Sequence, residues 1–481
     1  MTGAHGLTGP AHRRFVIVTS LLCLIDQVRG EPTAHSLDRH PHDGHWRLES
    51  PQKKFLDSFA LICSTSRVGG DTASAVCLEQ GHANGNVLRL ARNLGVPQRL
   101  VTQLQHVLDD LAAVAAKELT VKEGELKILL KIIDLTQDKI LSLLEKLRDP
   151  KIHATIQDVI STMKTDDDSW GDCEDANFRE WIVNLPALVS LKHDVTPIQL
   201  IPHIKWAAKA KWSYAEEMEA LFCSKGESKG ESKGESKGES KGESKGESKG
   251  EAFPPWIKHI YKLGRYFSAT KAMLKLATKQ PDLFTSIHVE AVQAPERQRF
   301  SLGDDKTALR TALEKLTKTD PETLMKKLGQ AWLTDDPEAR LRKACRLVLT
   351  VHAEMQLLAF YDHHPHLTPR LLFMGTSKKA CFLCHEFMSR HPLTIGVSAS
   401  HQKLYPSWMP APCSSTVRKK HKELLWDLSR HLEQTTMRDL ETRLGMRRPM
   451  NLDSTAGPSL TTTGTISTGC ILEPMIRWSN C

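Results

Sequence analysis

The sequence predicts a multi-domain protein, with a mostly α-helical N-terminal region and a C-terminal α/β domain joined by a tether. Three observations carry that expectation. The 481 residues exceed what one ordinary hydrophobic core encloses. The tetrapeptide Ser-Lys-Gly-Glu repeats seven times without variation from Ser224 to Glu251. Beyond residue 345 the pattern reads strand, helix, strand, helix, with short apolar runs alternating with helical periodicity. The composition, 40% hydrophobic and 25% charged, is that of globular domains and excludes a fibrous or wholly disordered protein.

The first 50 residues are rich in His, Gly and Pro and are expected to be poorly ordered. Within them "RRFVIVTSLLCLIDQVRGE", residues 13–31, has the layout of a signal peptide: two arginines, then an apolar run from Phe15 to Ile25. Asp26 and Arg29 stand where a neutral cleavage region belongs, and a buried strand or helix explains the run equally well. No stretch reaches the ~20 apolar residues of a membrane span. The eleven cysteines are odd in number and scattered, unlike a disulfide framework. The expectation is therefore reduced thiols and a cytoplasmic or nuclear protein, with secretion as the alternative.

Residues 51–223 read as helical. Leu100, Leu104, Val107, Leu108, Leu111 and Val114 recur at helical spacing between Pro97 and Leu119. Thr120 and Glu123 form a capping-box signature for a second long helix that ends near Pro150. Shorter helices are expected around 153–164 and 175–192. His82, His106, His153 and His193 are isolated, so this region is expected to be an interaction or scaffold domain with a protein partner. The 224–251 repeat has a glycine every fourth residue and nothing apolar to bury, so it reads as a flexible linker spanning about 30 Å.

Charge separates the two sides of that linker. Residues 252–481 hold 33 Lys+Arg against 21 Asp+Glu, whereas residues 1–223 hold 25 against 29. The basic side, with runs at Arg418–Lys422 and Arg447–Arg448, suits a polyanionic partner. A solvated surface plus a nuclear-import signal explains the same runs.

Residues 252–450 form the expected second domain, ahead of a Ser/Thr/Gly-rich tail at 451–481. A helix opens at "FPPWIKHIYKLGRYF", Phe284–Val292 alternates as a strand, and 306–331 returns to helical periodicity. "CRLVLTV" then leads to His352, which opens a helix marked by Met355, Leu358, Ala359 and Phe360. Arg370–Gly375 is a second apolar strand, followed by Cys381 and Cys384 in the first turn of another helix. "LTIGVSAS" is strand-like again.

That layout has a chemical reading. Cysteines at i and i+3 in a first helical turn put both sulfurs on one side, where the positive helix end favours thiolates. One imidazole and two thiolates leave a tetrahedral zinc one position open to water, as catalytic zinc requires. Zinc lowers the pKa of that water towards neutrality. Glu354 is poorly placed to bind the same ion but well placed to shuttle the water's proton to a departing amine. His-x-Glu alone is weak, occurring at His288, His352, His421 and His431, while Cys-x-x-Cys occurs once. Only His352 both precedes the cysteines by one strand and opens a helix. A structural zinc with His385 or Cys413 as fourth ligand, or a redox pair, also fits the cysteines.

"HAEMQLLAFYD", "SKKACFLCHEFM" and "SHQKLYPSWMPA" together resemble the toxin-type (OTT-like) branch of the nucleic-acid and nucleotide deaminase superfamily, a branch with many fungal members. The resemblance covers about residues 252–435. It implies a cytidine-deaminase-like α/β/α layered domain with a mixed sheet. It also implies one catalytic zinc on His352, Cys381 and Cys384, with Glu354 as the proton shuttle. Ala380 departs from the proline usual in the superfamily, a position that contributes no ligand.

Tyr405 and Trp408 are candidates to stack on a base, and His401 or Lys403 to meet a phosphate, although packing at the domain edge explains the aromatics too. Ser377, Lys378 and Lys379 are candidates for the pocket rim, or simply a solvated turn. The leading expectation is a zinc-dependent hydrolytic deaminase of cytosine or adenine, in nucleic acid or a nucleotide. The alternative is a non-catalytic, zinc-stabilised module that binds nucleic acid or protein.

Overall fold

The structure, a computed structural model, describes residues 9–35, 44–165, 173–185, 195–218 and 255–446. The repeat at 224–251, the tail at 451–481 and the end of the helix expected at 175–192 lie outside them. In chain order the helices are α1 (Gly9–Ile25), α2 (Gly44–Cys63), α3 (Gln98–Ala115), α4 (Val121–Leu147), α5 (Pro150–Thr165), α6 (Cys173–Val183) and α7 (Pro197–Trp212). Then come α8 (Pro255–Lys279), α9 (Ala308–Leu316), α10 (Pro321–Trp332), α11 (Pro337–Ala344), α12 (Ala353–His363), α13 (Phe382–Arg390) and α14 (Arg418–Thr442). The strands are β1 (Ser74–His82), β2 (Gly85–Arg92), β3 (Ile287–Ala291), β4 (Gln298–Phe300), β5 (Leu347–Val351), β6 (Phe373–Thr376), β7 (Gly396–Val397) and β8 (Trp408–Met409).

The chain divides into two compact units, but not at the repeat. One comprises residues 1–64, 68–121 and 272–481, and the other residues 65–67 and 122–271. This departs from the division expected at 223 and 252. A composition shift marks a tether, but it carries no information about which distant segments pair. The smaller unit is helical, as read. Its Trp181 and Trp206 stack at 4.5 Å, and each indole N–H donates to the other residue's carbonyl (3.0 and 2.9 Å). Glycine at 264 lets α8 approach the α7 backbone, where a Cβ would stand 2.8 Å from Ala208 Cα.

The larger unit contains two mixed sheets. Its five-stranded sheet has the order β3-β2-β1-β6-β7. β1 is antiparallel to both β2 and β6, whereas β2–β3 and β6–β7 are parallel. The hairpin β1–β2 lies in the region read as mostly helical, where no strand was expected, and the reason is legible. Every residue from Ser74 to Glu79 is buried, so β1 is covered on both faces and lacks the alternation of a half-exposed strand. Its helical neighbours are α2 and α12. Gly375 in β6 allows the closest approach of sheet to helix, since a Cβ there would collide with the Leu56 carbonyl and lie 2.6 Å from Asp57 N. The second sheet has the order β4-β5-β8, with β4 antiparallel and β8 parallel to β5.

The signal-like run is α1, and Phe15 to Leu22 are buried in the same core as α12 and α13. The expectation of poor order over residues 1–50 therefore fails for 9–35. Arg29, which would have spoiled a cleavage site, forms a buried ion pair with Asp439 of α14 (2.5 Å). Among the described residues no helix is long and apolar enough to cross a membrane.

Candidate metal centre

Two strand ends deliver the site. β5 stops at Val351 and the chain turns directly into α12, with His352 as the N-cap residue in extended conformation. β6 stops at Thr376, and Cys381 becomes the N-cap of α13. The start of α12 is fixed from β2. The N–H of Ala353 donates to Asn93 Oδ1 (2.8 Å), and the buried Gln356 amide donates to the Arg92 and Val351 carbonyls (3.0 Å each). Asn93 was not singled out in the sequence because its partner is 260 residues away.

His352, Cys381 and Cys384 converge as expected. His352 Nδ1 lies 3.5 Å from Cys381 Sγ and 3.4 Å from Cys384 Sγ, and all three donor atoms fall within 4.8 Å of one another. Tetrahedral bonds of 2.3 Å to sulfur and 2.0–2.1 Å to nitrogen put those donors about 3.6 Å apart, so the spacing fits zinc. The N–H of Cys384 points at Cys381 Sγ (3.4 Å), as a helix N-terminus presents itself to a thiolate. Trp408 adds a second donor. Its buried indole N–H has no oxygen or nitrogen partner and leans on the Cys384 sulfur, where a thiolate is the acceptor that would satisfy it.

Electrostatics separate the two cysteines. Burial opposes charge at Cys381, but hydrogen bonds from Cys384 and the adjacent His352 hold its thiol well below the usual range. Cys384 is pushed well above it by burial and by the neighbouring Cys381 charge. His352 is raised, because the Cys381 and Glu354 charges outweigh its desolvation. Glu354 is buried beside the triad without joining it, and burial raises its carboxyl above the ordinary value while His352 pulls it back.

A second cluster, Asp362, His391 and His421, is spaced differently. Asp362 Oδ2 lies 2.9 Å from His391 Nε2 and 2.6 Å from His421 Nε2, and Lys420 Nζ meets Oδ1 at 2.5 Å. These are hydrogen-bond separations, too short for two ligands across a tetrahedral zinc. The N–H of Leu393 donates to His391 Nδ1 (3.3 Å), which leaves the ring proton on Nε2, facing the carboxylate. The cluster is a carboxylate hub joining α12, α13 and α14, with a cation in place of a metal.

The residues read as substrate contacts divide. Tyr405 is half-buried, with its ring edge-on to His352 at 6.3 Å and to His401 at 5.7 Å. Trp408 is 1% exposed and packs between Phe15 and Phe387, so it supports Cys384 and offers no face to a base. His401 is buried, and Nδ1 accepts the Lys403 N–H (3.0 Å). Burial, reinforced by Lys403, pulls His401 down to about 4, so at neutral pH it is an uncharged Nε2–H donor and no cation for phosphate. Ser377 exchanges backbone and side-chain hydrogen bonds with Ser74 (3.0 and 2.9 Å), a sheet contact that occupies its hydroxyl. Lys378 is half-buried, its ammonium close over Gly69. Ala380 explains its own departure from proline: its N–H donates to Ala399 O (2.9 Å), a bond proline cannot make.

Comparison with known proteins agrees with this geometry. No curated protein and no solved structure matches the chain. One family model does, over residues 351–412, the span from the end of β5 past β8 that contains the whole triad. That span matches the model of the OTT_1508-like deaminase family, a member of the cytidine-deaminase-like superfamily.

Proposed function

We propose that the protein is a zinc-dependent hydrolytic deaminase acting on a cytosine or adenine base in nucleic acid or a nucleotide, built on an α/β/α layered domain. The observation that carries this reading is one histidine nitrogen and two sulfurs at zinc spacing, beside a buried glutamate outside the ligand set. His352, Cys381 and Cys384 would hold the ion. When bound, zinc supplies the Lewis acidity that brings the pKa of water towards 7. Glu354 does the proton work. Its carboxyl is raised by burial, which suits a group that takes a proton from water and returns it to the departing nitrogen near neutral pH. Water adds at the carbon bearing the exocyclic amine, the C–N bond breaks, and ammonia leaves. Tyr405 would pack on the base, and the neutral His401 Nε2–H would donate to a carbonyl or ring nitrogen of it. The Lys378 ammonium would stand at the rim, nearest to a phosphate.

The test uses the full-length protein. Zinc content is measured on the wild type, Glu354→Gln and the Cys381→Ser/Cys384→Ser double variant, with ammonia release from cytosine- and adenine-containing oligonucleotides and nucleotides. One zinc per chain is expected in the first two and none in the third, with Glu354→Gln slower by about 10²–10⁴-fold. Folded protein without zinc would refute the reading. Zinc without turnover of any substrate would leave a non-catalytic zinc-stabilised binding module.

A further inference from the structure

One concavity of the unit that holds His352, Cys381 and Cys384 lies away from that triad. It is a half-open groove of about 650 Å³ between α9 and α14, floored by α1. The floor and walls are apolar, formed by Phe15, Val18, Ala312, Leu316, Leu425 and Trp426. Trp426 is 64% exposed, an unusual placement for the largest apolar side chain. The rim is cationic. Of its two acids, Asp305 is paired with Arg13 and Glu433 with Arg14. Lys315, Lys422 and Arg430 have no carboxylate partner among the described residues, and Arg430 lies over the Trp426 ring at 4.2 Å. The basic run at 418–422 is thereby divided by function: Lys420 and His421 face Asp362, and Lys422 faces the groove.

An apolar trough with three unneutralised cations at its edge complements a ligand with an apolar body and one anionic end. A nucleic-acid strand fits less well. It would meet one aromatic platform and would leave most of the apolar floor against a polar backbone. We propose that this groove binds a single-chain carboxylate amphiphile as a free monomer. Its alkyl chain would lie along α9 over Phe15 and Leu316, and its carboxylate would sit among Lys315, Lys422 and Arg430. The site is independent of the zinc chemistry, and its test does not use deaminase activity.

The experiment is calorimetric titration of the full-length protein with decanoate, dodecanoate and dodecyltrimethylammonium below their micelle concentrations. Anionic phospholipid vesicles and a twelve-residue oligothymidylate serve as separate arms. Two variants accompany the wild type: Ala312→Trp, which fills the trough, and Lys315→Glu/Lys422→Glu/Arg430→Glu, which reverses its rim. Dodecanoate is expected to bind at one site, roughly fourfold more tightly per methylene than shorter chains. It should bind at least tenfold more tightly than the ammonium amphiphile, lose its site in Ala312→Trp and invert its preference in the charge-reversed protein. The triple variant alters only exposed side chains, so it remains informative if Ala312→Trp does not fold. Equal binding of the cationic amphiphile, or dodecanoate affinity unchanged in both variants, would overturn the proposal. So would tight binding of vesicles or oligothymidylate with none of monomeric dodecanoate, which would assign the groove to a membrane or to nucleic acid.

Discussion

Asp362 is the most consequential side chain outside the zinc triad, and Asp362→Ala measures its weight. The carboxylate accepts from His391, His421 and Lys420, and these bonds hold it well below the ordinary range against the effect of burial. Its removal strands two Nε2–H donors on rings that are 1% and 4% exposed. Each buried donor left without a partner costs about 1–3 kcal/mol, so the pair sums to roughly 2–6 kcal/mol. Lys420 is 36% exposed and rehydrates, so Lys420→Ala is expected to cost less than about 1 kcal/mol. The assay is native-state hydrogen exchange on peptides covering α12 and α13, which reports the opening free energy of these helices rather than of the two-unit chain. Loss of protection in Asp362→Ala but not in Lys420→Ala is the expected result. Similar small losses in both would refute the hub as the clamp on α12.

Metal analysis should give one zinc per chain, and Asp362→Asn should leave that stoichiometry unchanged; two per chain would mean that the hub binds metal. In chelated protein, iodoacetamide at pH 6.5 should alkylate Cys381 before Cys384, since His352 stabilises the Cys381 thiolate while Cys384 is held protonated; peptide mapping reads the order. Glu386, partnered by His385 and Arg390, is depressed to about 2 despite burial. Its contribution is therefore fully present above the unfolded value of about 4.3 and lost as pH falls towards 2. Glu386→Gln should flatten that part of the acid-unfolding curve. Gly375→Ala should destabilise the protein by about 3 kcal/mol, read as a lower melting temperature, because the added methyl meets the α2 backbone rather than a side chain that can yield.

Local order was far more legible in the sequence than partnership. The strand–helix alternation that sets His352, Cys381 and Cys384 is written in short-range periodicity, and the structure brings the three together. Helix α3 was marked by its Leu and Val spacing, and α4 by the Thr120–Glu123 capping signature and Pro150. The hairpin β1–β2 escaped because burial on both faces erases its period. The run Phe15–Ile25 is apolar apart from Thr19 and Ser20, and its packing against α14 was not legible because that partner lies far along the chain. Trp408 and His401 show the same limit at the site. An aromatic and an imidazole near a pocket look like ligand contacts until burial and the Lys403 N–H fix what each can offer.

The strand order has a practical reach. β2 and β1 lie between β3 and β6, so a fragment beginning at residue 252 would keep β3, β6 and β7 but lose the two strands that join β3 to the rest of the sheet. Dissection of the protein for expression therefore has to retain residues 9–121. The excursion from Arg92 to Ile287, which includes the repeat, is instead where the gene can change length. Closure entropy grows only with the logarithm of a loop's length, so a change of a few repeat units alters it little. A change in the number of Ser-Lys-Gly-Glu units is thus nearly silent for the closure of the sheet.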